Sequence, residues 1–347
     1  GASANANTSL DRTIYHMTGN VDKLELMFDI ESDRFKNLNY SEHDFKTEAG
    51  AIKGEYTKNY ANPNSQLYEL IRNTAFDKHT YKHTTMGFFK DIVDMPNQYE
   101  YSKLFYKRFY RPEYCTILVV GDVKPEKVYS LSQKYFSDWT KGDYEPIIPV
   151  EPPQTETRYA HIQNATVPPM LSLNYKSPAF SDKDITTAAL ELISNIAFSE
   201  RSDIYKKLVL SEKKVRFIFC SPADSRDPNL TTIGASVKKV EDMQYVKDEI
   251  IKTLEDLKVN YVSDKLLSDA KSNLKYSFAM SIDNPSSIAN AISYYIYITG
   301  NPESVNNYFN VLDKVTVEDI MKTAQDIFIN TGLTVGTITS EENSNIK

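Results

Sequence analysis

The sequence predicts an α+β protein made of two homologous domains, each a mainly antiparallel sheet packed with helices. Two observations lead to this prediction. The same order of strand and helix patterns occurs twice, at a spacing of about 220 residues. A stretch rich in proline and acidic residues separates the copies, and that composition is typical of a linker. We expect domains at residues 1–140 and 158–340, a linker at 141–157 and a polar tail at 341–347.

The two copies open in the same way. The first has a strand pattern at residues 13–17 followed by a long amphipathic helix pattern, and the second has its strand pattern at 232–236 followed by another. Ser41 in the first copy and Ser263 in the second then precede acidic residues. Serine before acids is typical of a helix N-cap, so both positions predict the start of a further helix.

Each copy closes with a short apolar run that predicts a strand, at residues 116–120 and 333–338. Further patterns of the second copy predict strands at 159–162, 171–175 and 215–220, and helices at 181–196 and 202–210. Residues 158–230 precede the strand pattern at 232, whereas only residues 1–12 precede the one at 13. By its own internal symmetry, the first domain is expected to lack its beginning.

Composition excludes several classes of protein. The net charge of −7 argues against nucleic acid as the main partner, because duplex binding favours a basic face. No run of 18 apolar residues is present, so no membrane span is predicted. Two cysteines cannot build a disulfide framework or a cysteine-rich zinc site. The sequence also contains no G-x-G-x-x-G, P-loop or G-x-S-x-G motif.

Two carboxylates form the first candidate site. Glu48 and Glu55 lie about two turns apart on the helix predicted after Ser41, so they point to one side. Ala51 and Ile52 lie between them, and we expect this stripe to face the core, where a buried carboxylate needs a partner. On spacing alone, a solvated acidic face explains the pair better than a metal or catalytic site does.

The order of several motifs resembles that of the insulinase/pitrilysin family, zinc metallopeptidases with the inverted H-x-x-E-H motif. Residues 1–15 resemble the family's G-x-x-x-N-A-x-T-x-x-x-x-T-x-Y segment, and residues 48–55 resemble its E-x-x-x-(V/I)-x-x-E helix. Three later segments are also similar to the family. Residues 76–87 match its F-x-x-H-x-Y-x-x-x-x-x-G segment, and residues 110–122 match its Y-R-P turn and the strand after it. Residues 204–213 resemble a second-domain segment found in two-domain bacterial members of the family.

The resemblance implies a zinc site. In the family, the two histidines of H-x-x-E-H bind the metal, the glutamate between them is the general base, and the later helix supplies a third ligand. That ligand corresponds to Glu55, and Glu48 corresponds to a residue that supports the site. None of the five histidines lies in an H-x-x-E-H motif, so the chain carries one zinc ligand of three. We expect it to be inactive alone.

The resemblance also implies how a peptide binds. Asn5 and Ala6 correspond to a strand that borders the cleft, where a substrate adds as an extra strand, although an ordinary strand start explains them too. Some members use an arginine and a tyrosine seven residues apart to hold the substrate carbonyl, and here Val209 and Arg216 stand at those positions. We therefore expect that pair to be absent.

His79 and His83 form the remaining histidine pair with metal-like spacing. The residues between them favour a loop rather than a helix, and no acid is placed as a base. A structural pair is therefore the better interpretation.

The resemblance therefore implies a fragment, lacking the H-x-x-E-H helix, of a zinc-dependent endopeptidase. It would cleave peptides or short unfolded polypeptides in a chamber enclosed by two domains arranged like a clam. The alternative is a non-catalytic peptide-binding or structural subunit of a heterodimeric family member. Because both Glu48 and Glu55 are present, we favour an active parent protein. A homodimer, or a heterodimer with a second family subunit, is expected. The compartment is open, with an extracytoplasmic location (periplasmic or secreted) favoured over the cytoplasm.

Overall fold

The computed structural model describes residues 2–344 and 346. This part of the chain folds into two compact units. Unit 1 contains residues 2–59, 85–148 and 282–293, and unit 2 contains residues 60–84, 149–281 and the remainder. Residues 60–84 precede the predicted linker yet group with unit 2. Compact units and homologous domains divide a chain by different criteria, so the predicted domain boundaries stay a prediction.

The strands are β1 (Ser3–Thr8), β2 (Thr13–Thr18), β3 (Arg158–Gln163), β4 (Met170–Ser177), β5 (Val215–Ser221), β6 (Asn229–Val237) and β7 (Leu333–Thr339). The helices are α1 (Leu24–Asn37), α2 (Glu42–Tyr60), α3 (Pro63–Ala75), α4 (Phe89–Asp94), α5 (Tyr99–Phe109), α6 (Pro125–Phe136), α7 (Ile185–Phe198), α8 (Asp203–Tyr205), α9 (Met243–Val259), α10 (Asp264–Ser281), α11 (Pro285–Thr299), α12 (Ser304–Lys314) and α13 (Val317–Ile327). No helix within the described ranges is long and apolar enough to cross a bilayer.

The internal repeat is visible in the order of the elements. β2 is followed by a 3-10 turn at Val21–Lys23 and then by α1, α2 and α3. β6 is followed by a 3-10 turn at Val240–Asp242 and then by α9, α10 and α11. The α+β class predicted from the sequence is therefore correct.

Unit 2 is built on a five-stranded sheet in the order β3-β7-β4-β6-β5. β3 runs parallel to β7, and the other neighbours are antiparallel, so the sheet is mainly antiparallel as predicted. Alternation along β6 places Ile233, Ala235 and Val237, each fully buried, in the core formed with helices such as α7, α9 and α13. This core packs these helices against one face of the sheet.

A second, smaller cluster of apolar residues joins α3 to the sheet. Leu67 and Ile71 of α3 pack with Ala160 of β3 and Ile338 of β7. Gly336 of β7 lies directly beneath the helix, since an added Cβ there would come within 2.4 Å of the Ile71 side chain. The glycine therefore allows α3 to approach the sheet closely.

The prediction of a strand at residues 116–120 was wrong, because the structure has no regular secondary structure there. Ile117 and Leu118 are 47% and 36% exposed. A strand exists only when a neighbour completes its hydrogen bonds, and no strand in the described ranges pairs with this run.

The helix predicted at 202–210 consists of α8 and a π-helix, Lys206–Ser211. Lys213 follows it in the left-handed region, with φ of 55°. In the predicted polar tail, Ile346 is buried within the core cluster of unit 2.

Candidate functional site

The carboxylate helix α2 begins with reciprocal capping. The Ser41 hydroxyl donates to Asp44 Oδ2 at 2.6 Å, and the Asp44 backbone N–H donates to Ser41 Oγ at 3.1 Å. This arrangement satisfies N–H groups that the first turn of a helix leaves unpaired. The cap fixes the start of α2, and therefore the angular positions of the residues that follow.

The buried side of α2 differs from the predicted one. Ala49 and Tyr56 are 2% and 4% exposed, and Phe45 and Ile52 are half-buried. Glu48 and Glu55 are exposed. They share one side of the helix, as their spacing predicts, but that side is rotated from the core by about one residue, or roughly 100°. The expectation that they face the core was wrong.

The two carboxylates have no hydrogen bond or ion pair with any residue that the structure describes. On the same helix, by contrast, Glu42 Oε1 lies 2.8 Å from Lys46 Nζ. Glu48 and Glu55 are thus solvent-accessible oxygen donors with no ion pair among the described residues. Such donors are available to bind a metal ion or a substrate group.

A complete metal centre is not formed by the described residues. No group of three histidine, cysteine, aspartate or glutamate side chains that could hold a metal ion is found among them. Glu55 suits zinc as a carboxylate ligand, but a structural or catalytic zinc needs at least three protein ligands. The donor set in this part of the chain therefore fits zinc only in part.

Asn5 and Ala6 lie on β1, whose six residues are all exposed. β1 pairs antiparallel with β2, with Asn5 opposite His16 and Ala6 opposite Tyr15. The other edge of β1 carries no strand within the described ranges. The Ala6 N–H donates to the Asn5 side-chain oxygen at 2.9 Å, so a strand added at this position must compete with that contact.

His79 and His83 do not form a metal pair. His79 is 4% exposed, and its Nδ1 accepts a hydrogen bond from the Tyr81 backbone N–H at 3.0 Å. Its Nε2 lies 3.4 Å from Asp227 Oδ2. His83 Nδ1 instead contacts the Thr84 carbonyl oxygen at 2.8 Å. The two rings therefore have different contacts and do not face a common site.

Val209 and Arg216 occupy irregular backbone. Val209 lies in the π-helix, and Arg216 lies on β5 at a register shift between Val215 and Phe217. Arg216 is exposed and Val209 is half-buried. Neither side chain supplies the tyrosine hydroxyl that the resemblance would require.

Sequence reasoning missed Glu151, the most fully hydrogen-bonded acid of the linker. Its carboxylate accepts from the backbone N–H groups of Asp77, Lys78 and His79. Its position in the predicted linker, between Pro149 and Pro152, gave no sign that this acid would be held by backbone hydrogen bonds.

Comparison with known families gives two matches. Residues 1–87 match the family described as insulinase (peptidase family M16). Residues 98–274 match the family described as peptidase M16 inactive domain.

Three relatives illustrate the similarity. The zinc protease PqqE of Helicobacter pylori is 27% identical over 338 residues, covering 95% of this chain and 75% of that protein. The crystal structure of a protease from Helicobacter pylori has a TM-score of 0.87 and 26% identity, covering 97% of this chain and 82% of that chain. The periplasmic protease PqqL from Escherichia coli has a TM-score of 0.76 and 16% identity, covering 98% of this chain and 39% of that chain. The last likeness shows the fold alone.

Proposed function

The chain belongs to the insulinase (peptidase M16) family, and from this membership we propose that it forms part of a zinc-dependent endopeptidase. Its substrates are peptides or short unfolded polypeptides. The observation that carries the proposal is the pair Glu48 and Glu55, exposed on one side of α2 and without a partner among the described residues. Carboxylates that the protein leaves unpaired on one side of a helix are available to a cation.

Each residue has a proposed role. Glu55 is a zinc ligand, and Glu48 supports the site from the same side of the helix. When bound, zinc polarises a substrate carbonyl and lowers the pKa of its bound water. Asn5 and Ala6 receive the peptide along the open edge of β1, where recognition of the backbone tolerates varied side chains.

The described residues alone support no catalytic step, because they provide too few metal ligands. Activity requires the histidine ligands and the general base of an H-x-x-E-H segment. We expect the chain without such a segment to bind zinc weakly and to cleave no peptide.

The first test uses a protein that contains this chain together with an H-x-x-E-H segment encoded ahead of it. Glu55→Gln should abolish both zinc binding and cleavage, since an amide is a poor zinc ligand. Glu48→Gln should lower cleavage by about 10- to 100-fold and retain part of the metal, as expected for a residue that supports a ligand. Zinc content is measured by atomic absorption, and cleavage with a quenched-fluorescence peptide.

Glu42→Gln is the matched control, because Glu42 lies on the same helix and is paired with Lys46. It should leave metal content and cleavage unchanged. Full activity in the Glu55→Gln variant would contradict the assignment.

A second function is a non-catalytic subunit that binds peptide or completes a heterodimer. The match of residues 98–274 to an inactive domain favours it. If no H-x-x-E-H segment precedes this chain in its gene, the protein should bind an unfolded peptide, measured by fluorescence anisotropy, without cleaving it. Zinc-dependent cleavage by such a protein would exclude this alternative.

We also propose an extracytoplasmic location and assembly as a homodimer or a heterodimer with a second family subunit. A periplasmic relative with the same fold supports the location. Cell fractionation and light scattering test the two statements separately, and a cytoplasmic monomer would contradict both.

A further inference from the structure

Three consecutive backbone N–H groups of unit 2 converge on one carboxylate. Asp77 N donates to Glu151 Oε1 at 2.8 Å, and Lys78 N and His79 N donate to Oε2 at 2.9 Å each. Successive N–H groups that point into one concavity form a nest, which binds anions. Both carboxylate oxygens of Glu151 are therefore held by backbone N–H groups. Because the donors are backbone atoms, replacing the side chains of residues 77–79 would not remove them.

A cation completes the surroundings of this carboxylate. Lys176 Nζ lies 3.4 Å from Glu151 Oε1 and 3.6 Å from the centre of the Phe76 ring. The Lys176 and Glu151 side chains are 19% and 11% exposed. Water is largely excluded, so each contact is stronger than it would be on the surface.

The turn that forms the nest has hydrogen bonds and an ion pair that do not involve Glu151. Phe76 ends α3, and its N–H donates to the Arg72 carbonyl at 3.1 Å. His79 caps the following 3-10 turn through its Nδ1. The Asp77 carboxylate is turned away to Arg158, with Oδ2 2.7 Å from Nη2. No acid of the turn itself fills the nest.

We propose that residues 77–79 form a carboxylate-binding nest, that Glu151 is its built-in ligand, and that their contact is a releasable latch for the linker. Nothing in this proposal depends on the proposed peptidase function. The ligand class is a carboxylate, because both oxygens are used and a cation faces them.

The latch lies where the linker changes from solvent-exposed to buried residues. Immediately before it, Ile147 and Val150 are 93% and 86% exposed. After it, Gln154 is buried and its Nε2 donates to the Leu333 carbonyl at 2.7 Å. Glu151 thus marks the point where the exposed part of the linker ends and hydrogen-bonded contacts with unit 2 begin. If those contacts are lost, the exposed part of the linker should extend further toward Gln154.

Electrostatics keep the latch closed at neutral pH. Burial opposes ionisation of Glu151, but the backbone donors and then the Lys176 charge outweigh it and hold the pKa of the carboxyl below its usual value. The charged groups around it are Lys176 on β4, Arg158 on β3 and Asp77 on the turn, and the titratable ring of His79 also lies on the turn. Only protonation in acid removes the anion.

The test combines Glu151→Ala with chemical rescue. Hydrogen exchange of the Asp77, Lys78 and His79 amides should become about 10- to 100-fold faster in the variant, as expected when hydrogen bonds to a charged group are lost. Excess sodium acetate should restore protection, whereas acetamide and sodium chloride at the same concentration should not. Glu145→Ala, which removes an exposed acid of the same linker, should change nothing.

Latch release has its own measurement. Subtilisin should cut within residues 141–157 faster in Glu151→Ala than in the wild type or in Glu145→Ala, and acetate should slow this cleavage. If Glu151→Ala fails to fold, Glu151→Gln replaces it, because an amide nitrogen cannot accept the donated hydrogens. Unchanged exchange at residues 77–79, equal rescue by acetamide, or unchanged linker cleavage would overturn the proposal.

Discussion

The same residue type serves opposite purposes at three positions of this chain. Glu48 and Glu55 are exposed and have no partner in the part of the chain that the structure describes. Glu151 is enclosed by three backbone donors and a lysine. An unpaired carboxylate at the surface costs little and remains available to a ligand, whereas an enclosed one must be satisfied within the fold. Environment therefore separates the candidate site from the structural anchor.

Glu191 of α7 gives a prediction at the residue scale. Burial and then the nearby Asp224 raise the pKa of its carboxyl from 4.5 to about 7. The folded state thus binds the proton more tightly than the unfolded chain, so stability falls as pH rises from 4.5 to about 7 and is level above that. Glu191→Gln should stabilise the protein by about 1–3 kcal/mol at pH 8 and by much less near pH 4.5.

Urea denaturation at the two pH values measures this difference. Glu200→Gln, at an exposed position just after α7, is the control and should shift stability by less than about 0.5 kcal/mol at either pH. An equal effect of Glu191→Gln at both pH values would show that the carboxyl does not titrate in this range.

The sequence predicted the relative positions of the candidate residues on their helix, but not which side of that helix is buried. Spacing placed Glu48 and Glu55 on one side of α2, which the structure bears out. Spacing did not identify the buried side of α2. The buried residues Ala49 and Tyr56 are no more hydrophobic than Ala51 and Ile52, so hydrophobicity does not distinguish the two sides. Burial depends on what packs against the helix, and that information lies elsewhere in the chain.

At the scale of elements, the close packing of α3 on β7 leads to a second prediction. An added Cβ at Gly336 would lie 2.4 Å from Ile71 Cδ1 and 2.7 Å from its Cγ1. Gly336→Ala should therefore destabilise the protein by about 1–3 kcal/mol through overpacking. In the Ile71→Ala background the same change should cost at least about 1 kcal/mol less, because the clashing atoms are gone.

The double-mutant cycle is measured by urea denaturation. Gly54→Ala on α2 is the matched control, since nothing lies within 4 Å of the added Cβ. It should stabilise by about 0.5–1 kcal/mol, because alanine loses less entropy in a helix than glycine does. Additive costs in the cycle would mean that the close contact is not what requires the glycine.

Two similar apolar runs show what local sequence predicts about elements. Residues 333–338 form β7, which pairs with β3 on one side and β4 on the other. Residues 116–120 have a similar apolar character but remain unpaired. Strand propensity describes a residue's fit to a pleated surface, whereas the strand itself needs neighbours. Likewise, nothing local predicted the left-handed Lys213 at the end of the π-helix.

At the scale of the molecule, the two units differ in how much core they contain. Both clusters of buried apolar residues that the structure shows in its described ranges lie in unit 2. In unit 1, Phe28 and Leu131 are buried, but Leu26, Ile30 and Tyr101 are 52%, 47% and 53% exposed. Local stability follows buried contact, so unit 1 should open more readily.

Native-state hydrogen exchange tests this expectation. Amides of β4, at the centre of the five-stranded sheet, should exchange at least about 100-fold more slowly than those of the β1–β2 hairpin. A single urea transition with equal protection in both regions would contradict it. Addition of a ligand that binds unit 1 should slow exchange in the hairpin first.

The open edge of β1 has a consequence for handling the protein. Its six residues, Ser-Ala-Asn-Ala-Asn-Thr, contain no charge and no proline. Natural edge strands use lysine, proline or a bulge to discourage pairing with another chain. β1 has none of these within its length, so the edge that we propose as a peptide-binding edge should also pair with the same edge of a second molecule. Self-association should therefore rise with protein concentration, and an added peptide ligand should suppress it.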